Sequence, residues 1–239
     1  MKRKITLTVT CAYLIIALTT LLTGIPAYGQ QVVTAPYFPL YPGSWWKYSK
    51  NGTETYVETV LTDPVVVNSV LTTVIARPEE MEYVTNDSFG IREHRIKENS
   101  FDYTVTFIPP VLLSPPLATL GQLTDSQGTA RFDIPSTGTF DIAYRASTVP
   151  LTFESISVPY GTFESVKIKT TFRMFGTING MTVDESSTAY TWLAKNIGSV
   201  KRIEYYDGKA DEEVLIDTNL PMIKPILSPL HFLLLKRES

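Results

Sequence analysis

The stretch APYFPLYPGSWWKYSKNGTETY, residues 35–56, sets two tryptophans side by side ahead of an Asn-Gly pair. On a strand, neighbouring side chains point to opposite faces, so Trp45 and Trp46 must meet different surroundings. Asn51-Gly52 is the pair favoured by a two-residue type I′ hairpin turn. With that turn, Lys50 pairs with Thr53, Tyr48 with Thr55, Lys47 with Tyr56, Trp46 with Val57 and Trp45 with Glu58. Trp46, Tyr48, Thr55 and Val57 then share an apolar, partly β-branched face, expected to be the core. Trp45, Lys47, Ser49, Glu54, Tyr56 and Glu58 share the wetter face. There Trp45 either stacks on Lys47 or Tyr56, or marks a patch covered by the chain's own tail, a ligand or a partner.

Outward from this hairpin the two-residue period continues. Phe101, Tyr103, Val105 and Phe107 alternate with Asp102, Thr104 and Thr106; Phe140, Ile142 and Tyr144 with Asp141 and Arg145; Val166, Ile168, Thr170 and Phe172 with Lys167, Lys169 and Arg173. Each run reads as a strand with one buried and one wet face. Turn signals fall between the runs at Asn68-Ser69, Asn86-Asp87, Ser136-Thr137-Gly138, Asn179-Gly180 and Asp207-Gly208, at spacings suited to antiparallel hairpins. No sustained helical period competes. The stretch IPPVLLSPPLATLGQL, residues 108–123, carries four prolines and is expected to be a covering loop or a short helix from Pro116, because proline cannot donate to a central ladder.

The first residues read as an export signal: a basic MKRK, an apolar run from Ala12 to Ile25, and small residues Ala27 and Gly29 at −3 and −1 before Gln30. Fourteen apolar residues give only ~21 Å of helix against a hydrocarbon core of ~30 Å, so cleavage is favoured over anchoring. Removing residues 1–29 removes Cys11, the one cysteine, and leaves no disulfide or thiolate chemistry. With Lys2, Arg3 and Lys4 gone, 18 basic residues face 24 acidic ones, a net charge of −6. That balance excludes nucleic acid and anionic membrane surfaces as electrostatic partners. The organisation expected is a signal peptide over 1–29, a linker over 30–36, one antiparallel β domain over 37–219 and a Pro/Leu-rich tail over 220–239. The tail's apolar run, Leu230 to Leu235, is too short to span a bilayer; it either packs back on the domain or serves in docking or sorting.

Four blocks, YFPLYPGSWWKYS, PPVLLSPPLATLGQ, VPYGTFESVKI and YTWLAKNIGSVKRIE, occurring in this order between residues 37 and 206, resemble the TapB-like group of bacterial exported domains of unknown function. The chain departs from that pattern at Tyr160, where Ala is usual, and at Lys195-Asn196, where Pro-Gly is usual. The resemblance implies an all-β, mostly antiparallel sheet forming an open or incompletely closed barrel with few short helices, similar to periplasmic lipoprotein-carrier barrels. It implies no established catalytic residue. From the residues alone, Pro159 ends one strand, Gly161 permits positive φ and Phe163 begins the next.

No catalytic constellation emerges. Ser44-Trp45-Trp46-Lys47 has the Ser-x-x-Lys spacing of penicillin-recognising enzymes, but that serine must open a helix, whereas here it begins a strand. His94 and His231 are too few for a triad or a metal shell and are expected at the surface. The clusters Glu79-Glu80-x-Glu82, Asp184-Glu185 and Asp211-Glu212-Glu213 lack calcium-loop spacing and read as solvated turns. No cofactor, metal or catalytic residue is therefore assigned, and the chain is read as a non-enzyme exported to the periplasm or beyond the cell. Two functions stay open: a barrel cavity holding a lipid or other apolar or amphiphilic ligand, or an envelope interaction module engaging another protein through edges or tail. Trp45, Tyr56, Tyr160 and Trp192 are the candidate ligand- or partner-binding residues.

Overall fold

A computed structural model describes residues 29–135, 137–178 and 180–221. The signal segment, the tail beyond residue 221, and the turn residues Ser136 and Asn179 lie outside the described residues. The chain runs through β1 (Gln31–Val33), a 3-10 turn (Ala35–Tyr37), β2 (Trp45–Lys50), β3 (Glu54–Val60), β4 (Val65–Val67), β5 (Val70–Ala76), β6 (Glu80–Asp87) and β7 (Gly90–Glu98). It continues through β8 (Tyr103–Ser114), β9 (Leu117–Thr119), β10 (Thr124–Ile134), β11 (Gly138–Val158), β12 (Gly161–Ile178), β13 (Met181–Ala194), β14 (Gly198–Tyr206) and β15 (Lys209–Thr218). All described pairings are antiparallel.

The sheet closes on itself in the order β3-β2-β15-β14-β13-β12-β11-β10-β8-β7-β6-β5, and β5 bonds back to β3. The barrel is thus closed, not open or incompletely closed. Its seam is short, Thr59 opposite Ala76 and Val60 opposite Ile75, and Leu61 N–H extends it to the Val74 carbonyl at 2.9 Å. Closure follows from the β4–β5 hairpin, whose Asn68-Ser69 turn adopts the left-handed φ that a type I′ turn requires and returns the chain beside β3. Strand β4 remains outside the ring, paired only with β5, and β1 pairs only with β9.

The first hairpin departs from the expected register by one residue. Thr53 N–H reaches the Lys50 carbonyl at 3.2 Å, as a two-residue turn demands, yet Lys50 pairs with Glu54 and Thr53 is left as an extra residue. Asn51 explains this: its backbone N–H and side-chain carbonyl bond Glu212 of β15, both at 2.8 Å, so β2 runs one residue further along that neighbour. Trp46 therefore faces Glu58, and Tyr48 faces Tyr56. Trp46 and Tyr48 are buried as expected, whereas Thr55 and Val57 are exposed and Tyr56 and Glu58 turn inward.

The proline-rich stretch is strand, not loop or helix. Pro109 and Pro110 sit inside β8 where its ladders are interrupted: β10 pairs with residues 104–108, and β7 pairs with 103–106 and then 111, 112 and 114. The gap is patched by side chains. Tyr144 Oη donates to the Pro109 carbonyl at 2.6 Å, and Leu112 N–H donates to Ser126 Oγ at 3.1 Å. Tyr144 also packs edge-on against Phe107 and stacked against Phe172 within one core cluster. Gly128 of β10 passes so close that a Cβ there would lie 2.4 Å from the Ile108 carbonyl oxygen. At the β11–β12 tip only Pro159 and Tyr160 form the turn; Gly161 already belongs to β12, without a left-handed φ.

Candidate functional site

Inward-facing residues of the ring enclose a cavity of about 720 Å³. Its floor is the YFPL block. Tyr37, Phe38, Pro39 and Leu40 line the cavity because the segment before β2 is pinned from several sides. Asn86 Nδ2 donates to the carbonyls of Ala35 and Phe38 at 3.0 and 2.9 Å, and Asn196 N–H donates to the Pro36 carbonyl at 2.7 Å. Thr34 bonds the carbonyls of Pro115 and Pro116. The segment read as linker thus carries β1, with Val32 buried. At the opposite end, exposed Glu54, Pro78 and Glu79 form the rim.

The cavity wall is divided. On β8, β11, β12 and β13 it is uncharged and largely apolar, with Val111, Leu113, Ala146, Ile168, Phe172 and Leu193 facing in and the hydroxyls of Thr148, Thr170, Ser187 and Thr191 between them. On β3, β6, β7, β14 and β15 it is acidic, with Glu58, Glu80, Glu82, Glu93, Glu204 and Glu213 facing in against Arg77 and Arg202. Arg77, just past β5, serves three carboxylates: its Nε lies 2.6 Å from Glu58 Oε1, and its Nη1 lies 2.9 Å from Glu80 and 3.3 Å from Glu82. The Glu58–Arg77 pair also bridges the β3–β5 seam. Arg202 Nη2 lies 2.8 Å from Glu204. Glu93 has no ion-pair partner among the described residues and feels both arginines only through space. The Tyr56 hydroxyl is buried without a hydrogen-bond partner among the described residues.

Burial dominates the acid–base behaviour of this wall. It raises the Glu58 carboxyl to about 7 even beside Arg77. Glu93 is raised well above the usual carboxylate range, by burial and then by repulsion from Glu82 and Glu80. Glu80 is raised in the same way, by burial and by Glu82. The Tyr56 phenol is pushed far up by burial and by Glu58. A low-dielectric wall holding more carboxylates than cations disfavours ionisation until a counter-charge arrives.

Of the four residues singled out from the sequence, only Tyr56 lines the cavity. Trp45 is half-buried, and its backbone ties β2 to the end of β15, its N–H donating to Asn219 Oδ1 at 2.9 Å and its carbonyl accepting from Thr218 Oγ1 at 2.6 Å. Tyr160 packs on the cluster of Trp46, Phe163 and Leu215, where its N–H reaches the Leu215 carbonyl at 3.3 Å. Trp192 is buried in the same cluster; its indole N–H donates to Glu154, and Lys167 and Lys201 lie 4.6 and 5.6 Å from its ring centre. The structure does not bring these four together. His94, expected at the surface, is 1% exposed and bonded to Thr85 Oγ1 at 3.1 Å. The Glu79–Glu82 and Asp211–Glu213 clusters are not simple solvated turns either, since Glu80, Glu82 and Glu213 enter the cavity. Asp184 does sit in the open, paired with Arg173 at 2.8 Å. The missed residues had one trace in the sequence: Glu54-x-Tyr56-x-Glu58 and Glu80-x-Glu82 repeat acids at the strand period.

Among the described residues, no group of three or more His, Cys, Asp or Glu is arranged to hold a metal ion, and no helix is long and apolar enough to cross a membrane. Residues 140–213, from β11 into β15, match the DUF3108-like family model. No curated protein matches the chain significantly. Among solved structures, the chain is similar to a candidate lipoprotein from Parabacteroides distasonis, with 15% identity, 77% of this chain and 98% of that chain covered, and a TM-score of 0.38. It is also similar to a candidate exported protein with a YmcC-like fold from Bacteroides fragilis, with 14% identity, coverage of 76% and 98%, and a TM-score of 0.36. The third is the hypothetical lipoprotein YmcC from Escherichia coli, with 7% identity, coverage of 77% and 89%, and a TM-score of 0.39.

Proposed function

We propose that this chain is a non-catalytic exported protein that holds an apolar or amphiphilic ligand inside its barrel, in the periplasm or outside the cell after cleavage near Gly29/Gln30. The resemblance of the four ordered sequence blocks to the TapB-like group supports that reading. The observation that carries it is the divided cavity of about 720 Å³, within the ~300–1,000 Å³ range of small-molecule sites. Such a volume could have been filled by larger side chains in a barrel built only for stability, since protein interiors otherwise pack closely. The test is native mass spectrometry of protein recovered gently from its own envelope. A retained small molecule, lost in an Ala189→Trp variant that fills the cavity from β13, is expected. Protein recovered at the bare polypeptide mass, with no uptake of offered amphiphiles, overturns the reading.

One observation favours the alternative of an envelope interaction module. Strand β4 is paired on one side only, and its hairpin exposes Val65, Val66 and Leu71 at 38%, 62% and 63%, an apolar edge of the kind that accepts an added strand. Replacing Val66 and Leu71 with Lys abolishes partner capture under this alternative and leaves ligand retention intact under the first.

A further inference from the structure

The cavity's polar half is not neutral. Six carboxylates face it with two guanidiniums, and both guanidiniums are already committed, Arg77 to Glu58, Glu80 and Glu82, and Arg202 to Glu204. Lys50 at the rim is held by Asp211 at 3.0 Å and adds nothing inside. That leaves two carboxylates facing the cavity without a basic partner among the described residues, Glu213 of β15 and Glu93 of β7, the latter enclosed by protein. Elsewhere on the polar half, near Glu58 and Glu213, the Tyr56 hydroxyl is buried without a hydrogen bond of good geometry among the described residues. Buried polar groups are ordinarily satisfied, and leaving a charge unpaired in such a site is costly. Across the cavity from Glu93 stand the uncharged residues of β12 and β13, in which Ile168, Phe172, Ala189 and Leu193 outnumber the hydroxyls of Thr170, Ser187 and Thr191.

We propose, building on the ligand-binding reading above, that the ligand is a cationic amphiphile: an amine-type head held by Glu93 and its neighbouring carboxylates, with a hydrocarbon body lying on the β12–β13 wall. An anionic lipid would add charge to a surplus of carboxylates, and a neutral one would leave Glu93 without a partner. A cation supplies the missing counter-charge and offers donors to the unpaired carboxylates. The fit is to a linear chain with one charged end, because the polar and apolar halves lie on opposite walls of one compartment.

The test uses the chain without residues 1–29, titrated at pH 8 with decylamine, decanol and decanoate below their aggregation limits. Heat and the fluorescence of cavity-lining Trp46 report binding. Decylamine is expected to bind at least about tenfold more tightly than decanoate, and Glu93→Gln to weaken decylamine about tenfold, the loss of one charge-assisted contact. A native circular dichroism spectrum and a cooperative melting transition establish that Glu93→Gln is folded. Equal or tighter binding of decanoate, or a decylamine affinity indifferent to Glu93→Gln, overturns the cationic assignment while leaving the cavity reading standing. Failure of all three probes to bind overturns both.

Discussion

Glu58 offers a direct test of whether the polar wall is enclosed as described. The residue is 8% exposed and faces the cavity beside Arg77, and burial lifts its carboxyl from 4.5 to about 7. A carboxyl raised on folding makes the native state the better proton binder between these values, so its contribution to stability is complete below about pH 4.5 and is lost as pH rises through 7. At 1.36 kcal/mol per pH unit the loss amounts to ~3 kcal/mol, or roughly 5–10 °C in melting temperature for a domain of this size. Glu80 and Glu93 are displaced in the same direction and add to the slope. His94 works against it, because its lowered basicity, caused by burial and by Arg92, makes stability rise as pH approaches 6.5. Asp211, held down to about 2 by Asn51, Lys50 and Tyr206, loses its contribution only below about pH 4 and leaves the window untouched. The discriminating quantity is therefore the melting temperature of the native chain minus that of Glu58→Gln, measured from pH 5 to 8, in which His94 cancels. It should fall across the window, with the glutamine variant the more stable at pH 8. A difference that stays flat means Glu58 titrates alike in folded and unfolded chains, and the low-dielectric wall does not exist.

Trp46→Ala should cost ~3–5 kcal/mol, as a large buried truncation does, because Trp46 is 5% exposed and its indole N–H donates to the Ile197 carbonyl at 2.5 Å. Trp45→Ala should cost much less, since the ties that Trp45 makes to Thr218 and Asn219 are backbone ones; chemical denaturation of both variants compares them. Tyr144→Phe removes the donor to the Pro109 carbonyl and should cost ~1–3 kcal/mol for an unpaired buried acceptor, measured the same way, with no change in ligand affinity. Asn86→Ala frees two carbonyls that hold the cavity floor and should speed ligand dissociation in stopped-flow fluorescence more than it lowers melting temperature.

Much of the fold was legible because strands with one apolar and one polar face declare themselves by alternation, as Val166 to Phe172 do. Closure was not legible. It rests on two residue pairs between β3 and β5, the Leu61–Val74 bond and one ion pair, none of which leaves a periodic trace. The strand through Pro109-Pro110 was hidden for a different reason: proline forbids a ladder bond only where one would have been made, and both neighbours of β8 skip those positions. Sequence reports the missing donor but not whether a neighbour needed it. Tyr160 and Trp192 were conspicuous as aromatics near strand ends, yet their hydrogen bonds and packing commit them to the cluster around Leu215.

The candidate site turned on a single residue of register. Had Thr53 entered the ladder, Thr55 and Val57 would have faced inward beside Trp46 and Tyr48, and the polar wall would have lost Tyr56 and Glu58. Because Asn51 instead extends the bonding of β2 to Glu212 of β15, the same strand presents Tyr56 and Glu58. Glu58 then meets Arg77, and the pair falls on the seam that closes the ring. The residue that joins β3 to the return of β5 is thus also part of the acidic wall, so barrel closure and cavity chemistry are coupled through one carboxylate. A cation drawn to Glu93 and its neighbours would change the charge balance around Arg77, which already serves Glu58, Glu80 and Glu82. Under the proposed cationic assignment, ligand occupancy and the strength of the β3–β5 seam are linked, and hydrogen exchange at Leu61, whose amide donates to the Val74 carbonyl across that seam, should slow when decylamine is bound.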